Sequence, residues 1–263
     1  STSPSHTIAM AAYAVDAVKG LGHMTLVIRG WQDAITREVL EPLGIAPESV
    51  RFCTQRPGPG GAVLGHGDAA LQCRSFWEDR TLVVTNFGGD ANSPLTVRIA
   101  LGAMRAFEEK GIEIGALIPV AWMDAPGYPV YLDDRGIPTG FWHAKLAGSP
   151  PPGAPSNFTN VGIRIYRREW LARALDTLHD RYWDHDSGWN IPSNDPSKHE
   201  CALDNVDALL ASWGKVRVLP VAMPAELTPL KAVTEYDGFL NAVREVRREW
   251  EAVRMQQRPE DPI

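Results

Sequence analysis

Apolar residues recur at helical spacing through Ile8, Ala11, Ala12, Val15, Val18 and Leu21, and the pattern stops at Gly20 and Gly22. The run His23–Arg29 that follows is continuously apolar at its centre, so a helix and then a buried strand are predicted. The alternation continues, with helices predicted over Trp31–Leu43, Gly67–Phe76 and Leu95–Lys110 and strands over Val50–Cys53, Thr81–Thr85 and Gly115–Met123. Pro94 stands where a first helical turn tolerates it, and Gly111 where a helix stops. Such alternation implies parallel strands joined by right-handed crossovers.

Beyond Pro126 the pattern changes: Tyr128–Leu132, the turn Asp133–Gly136 and Ile137–Lys145 read as a hairpin. Ala147–Asn157, rich in Pro, Gly and Ser, reads as irregular, Phe158–Tyr166 as a strand and Arg168–Tyr182 as an amphipathic helix. Asp184–His199 is a polar loop, and two helices, Glu200–Trp213 and Thr234–Met255, bracket the strand Val216–Ala222. The fold expected is α/β, a single domain over residues 1–257 with a mixed, mainly parallel central sheet flanked by helices. Residues 258–263 are expected to be a flexible tail.

Composition narrows the functions open to this fold. The 263 residues, 44% hydrophobic, suffice for a substantial core, and 23 glycines with 21 prolines argue for many turns. A net charge of −6 and a pI near 5.7 remove any general attraction to nucleic acid or an anionic membrane. Any anionic ligand must therefore be held locally. Cys53, Cys73 and Cys201 contain no C-x-x-C pair and fit neither a disulfide framework nor a zinc cage. The longest apolar run, Gly115–Met123, is too short to span a bilayer. A cytoplasmic protein with reduced thiols is expected, and a homo-oligomer stays open.

Three clusters could carry chemistry. In the first, Gln55 precedes a glycine-rich loop that runs through Gly65, His66, Gly67 and Asp68 into a helix start. Backbone amides there can approach an anion or a flat base, although Gly and Pro in a loop can equally be only a turn. In the second, Asp90 follows an apolar strand, where open α/β sheets bind ligands and a hard cation finds oxygen; Asn92 and Ser93 are better placed to cap the next helix. In the third, Gly136, Gly140, His143 and Lys145 are followed by Asn160-Val-Gly162-Ile-Arg164. Singly, these read as a hairpin turn, a solvated charge and a strand-edge amide.

In this order the clusters resemble the sugar-1-phosphate nucleotidyltransferases of GT-A-like fold, the family of N-acetylglucosamine-1-phosphate uridylyltransferase. Gly65-His66-Gly67-Asp68-Ala69 resembles the family's G-T-G-[DH]-A loop with its base-contacting Gln upstream. Gly89-Asp90-Ala-Asn-Ser-Pro94-Leu95 resembles its G-D-x-P-L element with two extra residues, Gly136–Lys145 its G-x-V-x-G-I-x-E-K stretch, and Asn160-Val-Gly its N-[TA]-G strand. The resemblance implies a nucleoside triphosphate and a sugar or cyclitol 1-phosphate as substrates, pyrophosphate as product and Mg²⁺ as cofactor. It implies Asp90 and Lys145 as catalytic residues, with Asp90 and Thr234 on the metal. It implies Gln55, Gly65, His66, Gly67 and Asp68 at the nucleotide, and Gly140, His143 and Asn160 at the sugar.

The pattern departs from the family's at several points. His143 stands for a sugar-binding Glu, His66 for a Thr, and Thr234 for a metal-binding Asn or Asp. The family's opening strand and G-x-G-T-R loop precede anything matched here. Two alternatives follow: a catalytically silent homologue that binds nucleotide or sugar phosphate as a regulatory or assembly subunit, and a GT-A glycosyltransferase. Asp184-His-Asp186 has the D-x-D spacing of the latter but lies in a loop. His179 and His185 do not share a helix face, Ser187 and Ser193 lack a nucleophile elbow, and Trp183 and Trp189 read as loop seals before stacking platforms.

Overall fold

The computed structural model describes residues 4–28, 30, 32–142, 150–193, 199–228 and 235–256. Helix α1 (Pro4–Val18) leads into β1 (Met24–Ile28), the single turn α2 (Gln32–Ile35) and β2 (Val50–Thr54). The helix expected over Trp31–Leu43 is broken, because α2 passes into a wider π turn at Thr36–Leu40. Then come α3 (Gly65–Gln72), β3 (Leu82–Asn86), α4 (Pro94–Glu109) and β4 (Ala116–Trp122). The start of α4 follows its sequence signals: the Ser93 hydroxyl accepts from the Leu95 N–H, Pro94 fills the first turn, and Gly111 closes the far end at φ 67°.

The hairpin β5 (Pro129–Leu132) and β6 (Pro138–Phe141) forms as the pattern predicts. Strand β7 (Ala154–Asn160) begins inside the stretch expected to be irregular, with Tyr131 facing Pro155 and Leu132 facing Ala154 in its ladder to β5. Composition misleads there because Pro155 lies in a ladder whose irregular register tolerates it. After β8 (Ile163–Arg167) follow α5 (Arg168–Tyr182), the ribbon β9 (Trp183–Asp184) and β10 (Gly188–Trp189), α6 (Leu203–Ser212), β11 (Val216–Leu219) and α7 (Tyr236–Gln256).

The main sheet has seven strands in the order β3-β8-β4-β7-β5-β6, with β11 on β4, and every pairing but β4–β11 is antiparallel. The expectation of a mainly parallel sheet is therefore corrected. β3 and β4 do run in the same direction around α4, but β8, arriving from beyond the hairpin, lies between them. Hydrophobic period identifies a strand and is silent on its neighbour. β1 and β2 form a separate parallel pair.

β7 and β8 together run antiparallel to β4, and their register slips at Val161–Gly162: Val120 faces Asn160, whereas Ala116 faces Tyr166. Such an irregularity bends a strand and re-aims its side chains. One face of the sheet packs Ala116, Ile118, Val120 and Tyr166 against Leu171 and Leu175 of α5 and Val206 and Leu210 of α6. The other packs Leu117 and Ile165 against Ala100 and Met104 of α4, all fully buried. Truncating Met104 to Ala would cost about 2–5 kcal/mol.

Candidate functional site

The slip at Val161–Gly162 lies beside the end of β3. Phe87 N–H donates to the Gly162 carbonyl at 3.1 Å, and the chain then turns so that the Asp90 carboxylate lies against Gly162. A Cβ on Gly162 would overlap Asp90 Oδ2, so glycine is what admits the carboxylate. Asn160 lies two residues earlier in the chain, opposite Val120. The Asn92 amide donates to Asn86 Oδ1, and Asn86 Nδ2 donates to the Ala14 carbonyl at 2.8 Å. Asn92 is 5% exposed and, among the described residues, its side-chain oxygen meets no donor. Ser93, not Asp90, caps α4, and the buried Glu226 carboxylate adds acceptors for Ser93 N–H and the Thr96 hydroxyl.

The glycine loop is held from a different quarter. The Cys201 carbonyl accepts from Gly67 N–H at 2.8 Å and Asp68 N–H at 3.2 Å, and Cys201 N–H donates to the Leu64 carbonyl. A Cβ on Gly67 would stand 2.8 Å from Cys201 O, and one on Gly65 closer still. These glycines therefore admit the backbone around Cys201, and the Gly67 and Asp68 amides of α3 are spent on protein. Asp68, 3% exposed, accepts from Trp189 Nε1 at 2.8 Å and from the Gln72 amide. Trp189 is 1% exposed, as a loop seal should be.

His66 is half-buried and turns its ring towards the start of α6. Its Nδ1 accepts from the Leu203 N–H at 2.8 Å, which places the ring proton on Nε2, and burial pulls its pKa down to about 4. A neutral imidazole thus replaces a hydroxyl as a cap on the start of α6. The ring lies 4.5 Å from that of Phe87, whose face carries the Arg164 guanidinium at 4.7 Å.

Gln55 follows the end of β2, where its N–H donates to the Ile28 carbonyl; its Nε2 donates to the Gly65 carbonyl at 2.8 Å. With Arg56, Pro57 and Gly61–Leu64 it lines a cavity of about 260 Å³. Val63, 53% exposed, supplies that loop with apolar surface. Gln72 bonds both the N–H and the carbonyl of Arg56, tying the loop to α3. Gly140 pairs with Tyr131 and lies against Pro151, in the strand beyond β5 from Asn160. His143, Lys145 and Thr234 fall outside the described residues.

β8 carries one member of a buried charge cluster. Arg164, 1% exposed, donates Nε to Asp207 Oδ2 at 2.9 Å, Nη2 to Asp204 Oδ1 at 2.7 Å and Nη1 to the Val161 carbonyl. The Tyr166 hydroxyl donates to Asp207 Oδ1 at 2.6 Å, and Asn160 Nδ2 to Asp204 Oδ1 at 3.5 Å. Burial, with Asp204 and Asp207 nearby, holds the Tyr128 and Tyr166 phenols protonated. The signal in the sequence was an Arg two residues before a Tyr on the inward face of a strand, with carboxylates three apart at the start of a helix.

The alternatives fare differently. Asp184 Oδ1 accepts from the N–H groups of Asp186 and Ser187 and from the Ser187 hydroxyl, so it closes the turn between β9 and β10. His179 packs its ring on Trp183 and Trp189. Among the described residues, no group of three or more His, Cys, Asp or Glu is placed to hold a metal ion, and no helix is long and apolar enough to cross a membrane.

A Bacillus anthracis structure, named as a glucose-1-phosphate thymidylyltransferase in complex with sucrose, is similar to this chain with a TM-score of 0.58. The alignment covers 90% of this chain and 82% of that one at 12% sequence identity. The likeness is one of fold. No family model matches the chain, and no curated protein matches it.

Proposed function

We propose that this chain is a nucleotidyltransferase joining a nucleoside triphosphate to a sugar 1-phosphate. The observation that carries the reading is the seat of the Asp90 carboxylate against Gly162, two residues along the chain from Asn160, supported by the likeness of fold. A phosphate oxygen of the sugar phosphate attacks the α-phosphorus in line, and the bond to the β-phosphate breaks to release pyrophosphate. Such a reaction asks for positioning and charge neutralisation and needs no protein nucleophile.

Asn160 offers an amide to the sugar, while Gln55 and the loop through Leu64 offer a half-apolar cavity to the base. Its 260 Å³ falls just below the range of drug-sized pockets and suits one flat heterocycle better than a whole dinucleotide. Lys145 and His143 are assigned to the phosphate and the sugar, and Thr234 to the metal, by resemblance alone. The Asp90 carboxylate and the donor-free oxygen of Asn92 are the hard donors Mg²⁺ takes, so the residues fit the cation. When bound, Mg²⁺ supplies neutralisation of the phosphate oxygens. With the Gly67 and Asp68 N–H groups of α3 held by the Cys201 carbonyl, side-chain cations and the metal share the binding of the anion.

Pyrophosphate release from each nucleoside triphosphate with a panel of sugar 1-phosphates, with and without Mg²⁺, tests the reading. The wild type should be active with Mg²⁺, and Asp90→Asn should lose at least about a hundredfold in rate. Full activity of the variant would sink the assignment of Asp90. One observation favours a second reading, ligand binding without turnover: the Gly67 and Asp68 amides of the glycine loop are already paired with the Cys201 carbonyl. A chain that is stabilised thermally by a triphosphate yet releases no pyrophosphate would decide for it.

A further inference from the structure

We propose that Asp204 is a positioning residue that fixes which end of the Asn160 amide faces the ligand, and thereby makes this site select a ligand hydroxyl. The inference rests on Asn160 being the sugar-binding amide. A side-chain amide has a donor end and an acceptor end of nearly equal shape, and only its partners decide which points where. Asp204 Oδ1 is held at 2.7 Å by Arg164 Nη2. An ionised carboxylate oxygen only accepts, so the amide nitrogen of Asn160 must face it, as it does at 3.5 Å. The amide carbonyl then points away, and among the described residues no donor meets it.

Asp204 is itself pinned. The guanidinium that holds it is fixed by the fully buried Asp207, by the Val161 carbonyl and by the face of Phe87. Asp207 is in turn fixed by the Tyr166 hydroxyl. Asp204 remains 25% exposed while Arg164 and Asp207 are sealed, so it is the member of the cluster that reaches the surface where Asn160 lies. The product of this chain of bonds is an acceptor on a half-buried residue, the Asn160 carbonyl, beside a carboxylate. A ligand group meeting it must donate, which a sugar hydroxyl does and a deoxy or fluoro position does not. A site built around a hydrogen bond of this kind rejects analogues lacking the donor, because its own polar group is then left unpaired.

The test measures calorimetric binding of glucose, galactose and mannose 1-phosphates and their monodeoxy and monofluoro analogues, with pyrophosphate release followed alongside. In the wild type one ring position should cost at least about tenfold in affinity when its hydroxyl is replaced. Asp204→Asn, whose own amide can face either way, should weaken the parent sugar about tenfold and shrink that discrimination to within about threefold. The larger part of the change should fall on the KM of the sugar phosphate. Asn160→Ala should remove the same discrimination, and the double variant should bind no worse than the weaker single one. Retained discrimination in Asp204→Asn, or additive losses in the double variant, would overturn the proposal.

Should Asp204→Asn fail to fold, the wild-type chain decides through the Asn160 side-chain amide in NMR, assigned by its loss in Asn160→Ala. One exchange-protected proton supports the proposal, and two freely exchanging protons overturn it. Binding without pyrophosphate release would sink the transferase reading and leave the role of Asp204 tested. A wild type that binds none of the three sugar phosphates overturns both.

Discussion

Arg164 and Asp207 meet at 2.9 Å with side chains 1% and 0% exposed. A pair so deep is a poor source of net stability but very costly to split, because the surviving partner is left charged and dry. Asp207→Asn should therefore lower the unfolding free energy by about 3–5 kcal/mol, read from the urea midpoint. A loss below about 1 kcal/mol would mean that Asp204 alone satisfies the guanidinium.

Acid should weaken the fold through His66. Its pKa is pulled from the ordinary 6.5 to about 4 by burial, so the unfolded chain takes up the proton first. The stability it contributes is complete above pH 6.5 and is lost as pH falls towards 4, by up to about 3 kcal/mol. Asp207 acts in the opposite sense: burial pushes its pKa up from 3.8 to about 6, so its contribution is present below 3.8 and lost as pH rises through 6. The two slopes partly cancel in the wild type. His66→Gln, which keeps an acceptor for Leu203 N–H, should lose less stability between pH 7 and 4.5 than the wild type does. Identical losses would contradict the burial of a neutral imidazole.

Two glycines should respond oppositely to a single methyl group. Gly65 has φ 85° and its Cβ would collide with the backbone of Cys201, so Gly65→Ala should cost at least about 2 kcal/mol. Gly102 lies inside α4, exposed, with no atom near its missing Cβ, so Gly102→Ala should stabilise by about 0.5–1 kcal/mol. Thermal melts of the two variants check both signs.

Glu226 serves α4 from outside the helix. Its carboxylate accepts from Ser93 N–H at 2.8 Å, the Thr96 hydroxyl at 2.7 Å and Met223 N–H at 3.0 Å. Glu226→Ala strands buried donors at the helix start and should cost about 3 kcal/mol, whereas Glu226→Gln should cost less. Equal Tm values for the alanine variant and the wild type would refute the role.

What could be read in the sequence is what local chemistry decides. The helix Arg168–Tyr182 is found where its periodicity puts it, β4 to within a residue at each end, and the cap before Pro94 by its residue types. Asp90, left over once Ser93 takes the cap, does stand at the end of β3 beside Gly162. Partners distant in sequence could not be read. Nothing local says that β8 separates β3 from β4, or that the glycines before Ala69 make room for Cys201 more than a hundred residues away. Arg164 is illegible for the same reason: its carboxylates lie on α6, and a charge in a strand acquires meaning only from what it faces.

The bond from Cys201 to α3 makes one cooperative unit of two segments remote in the chain. The Leu64 carbonyl receives the Cys201 N–H, Gly67 and Asp68 give theirs to the Cys201 carbonyl, and His66 takes that of Leu203. None of these bonds can open without loosening the rest, so their amides should exchange with solvent at a common rate. A molecule prising at the mouth of the Gln55 cavity would thus pull on the first turn of α6, one residue from Asp204.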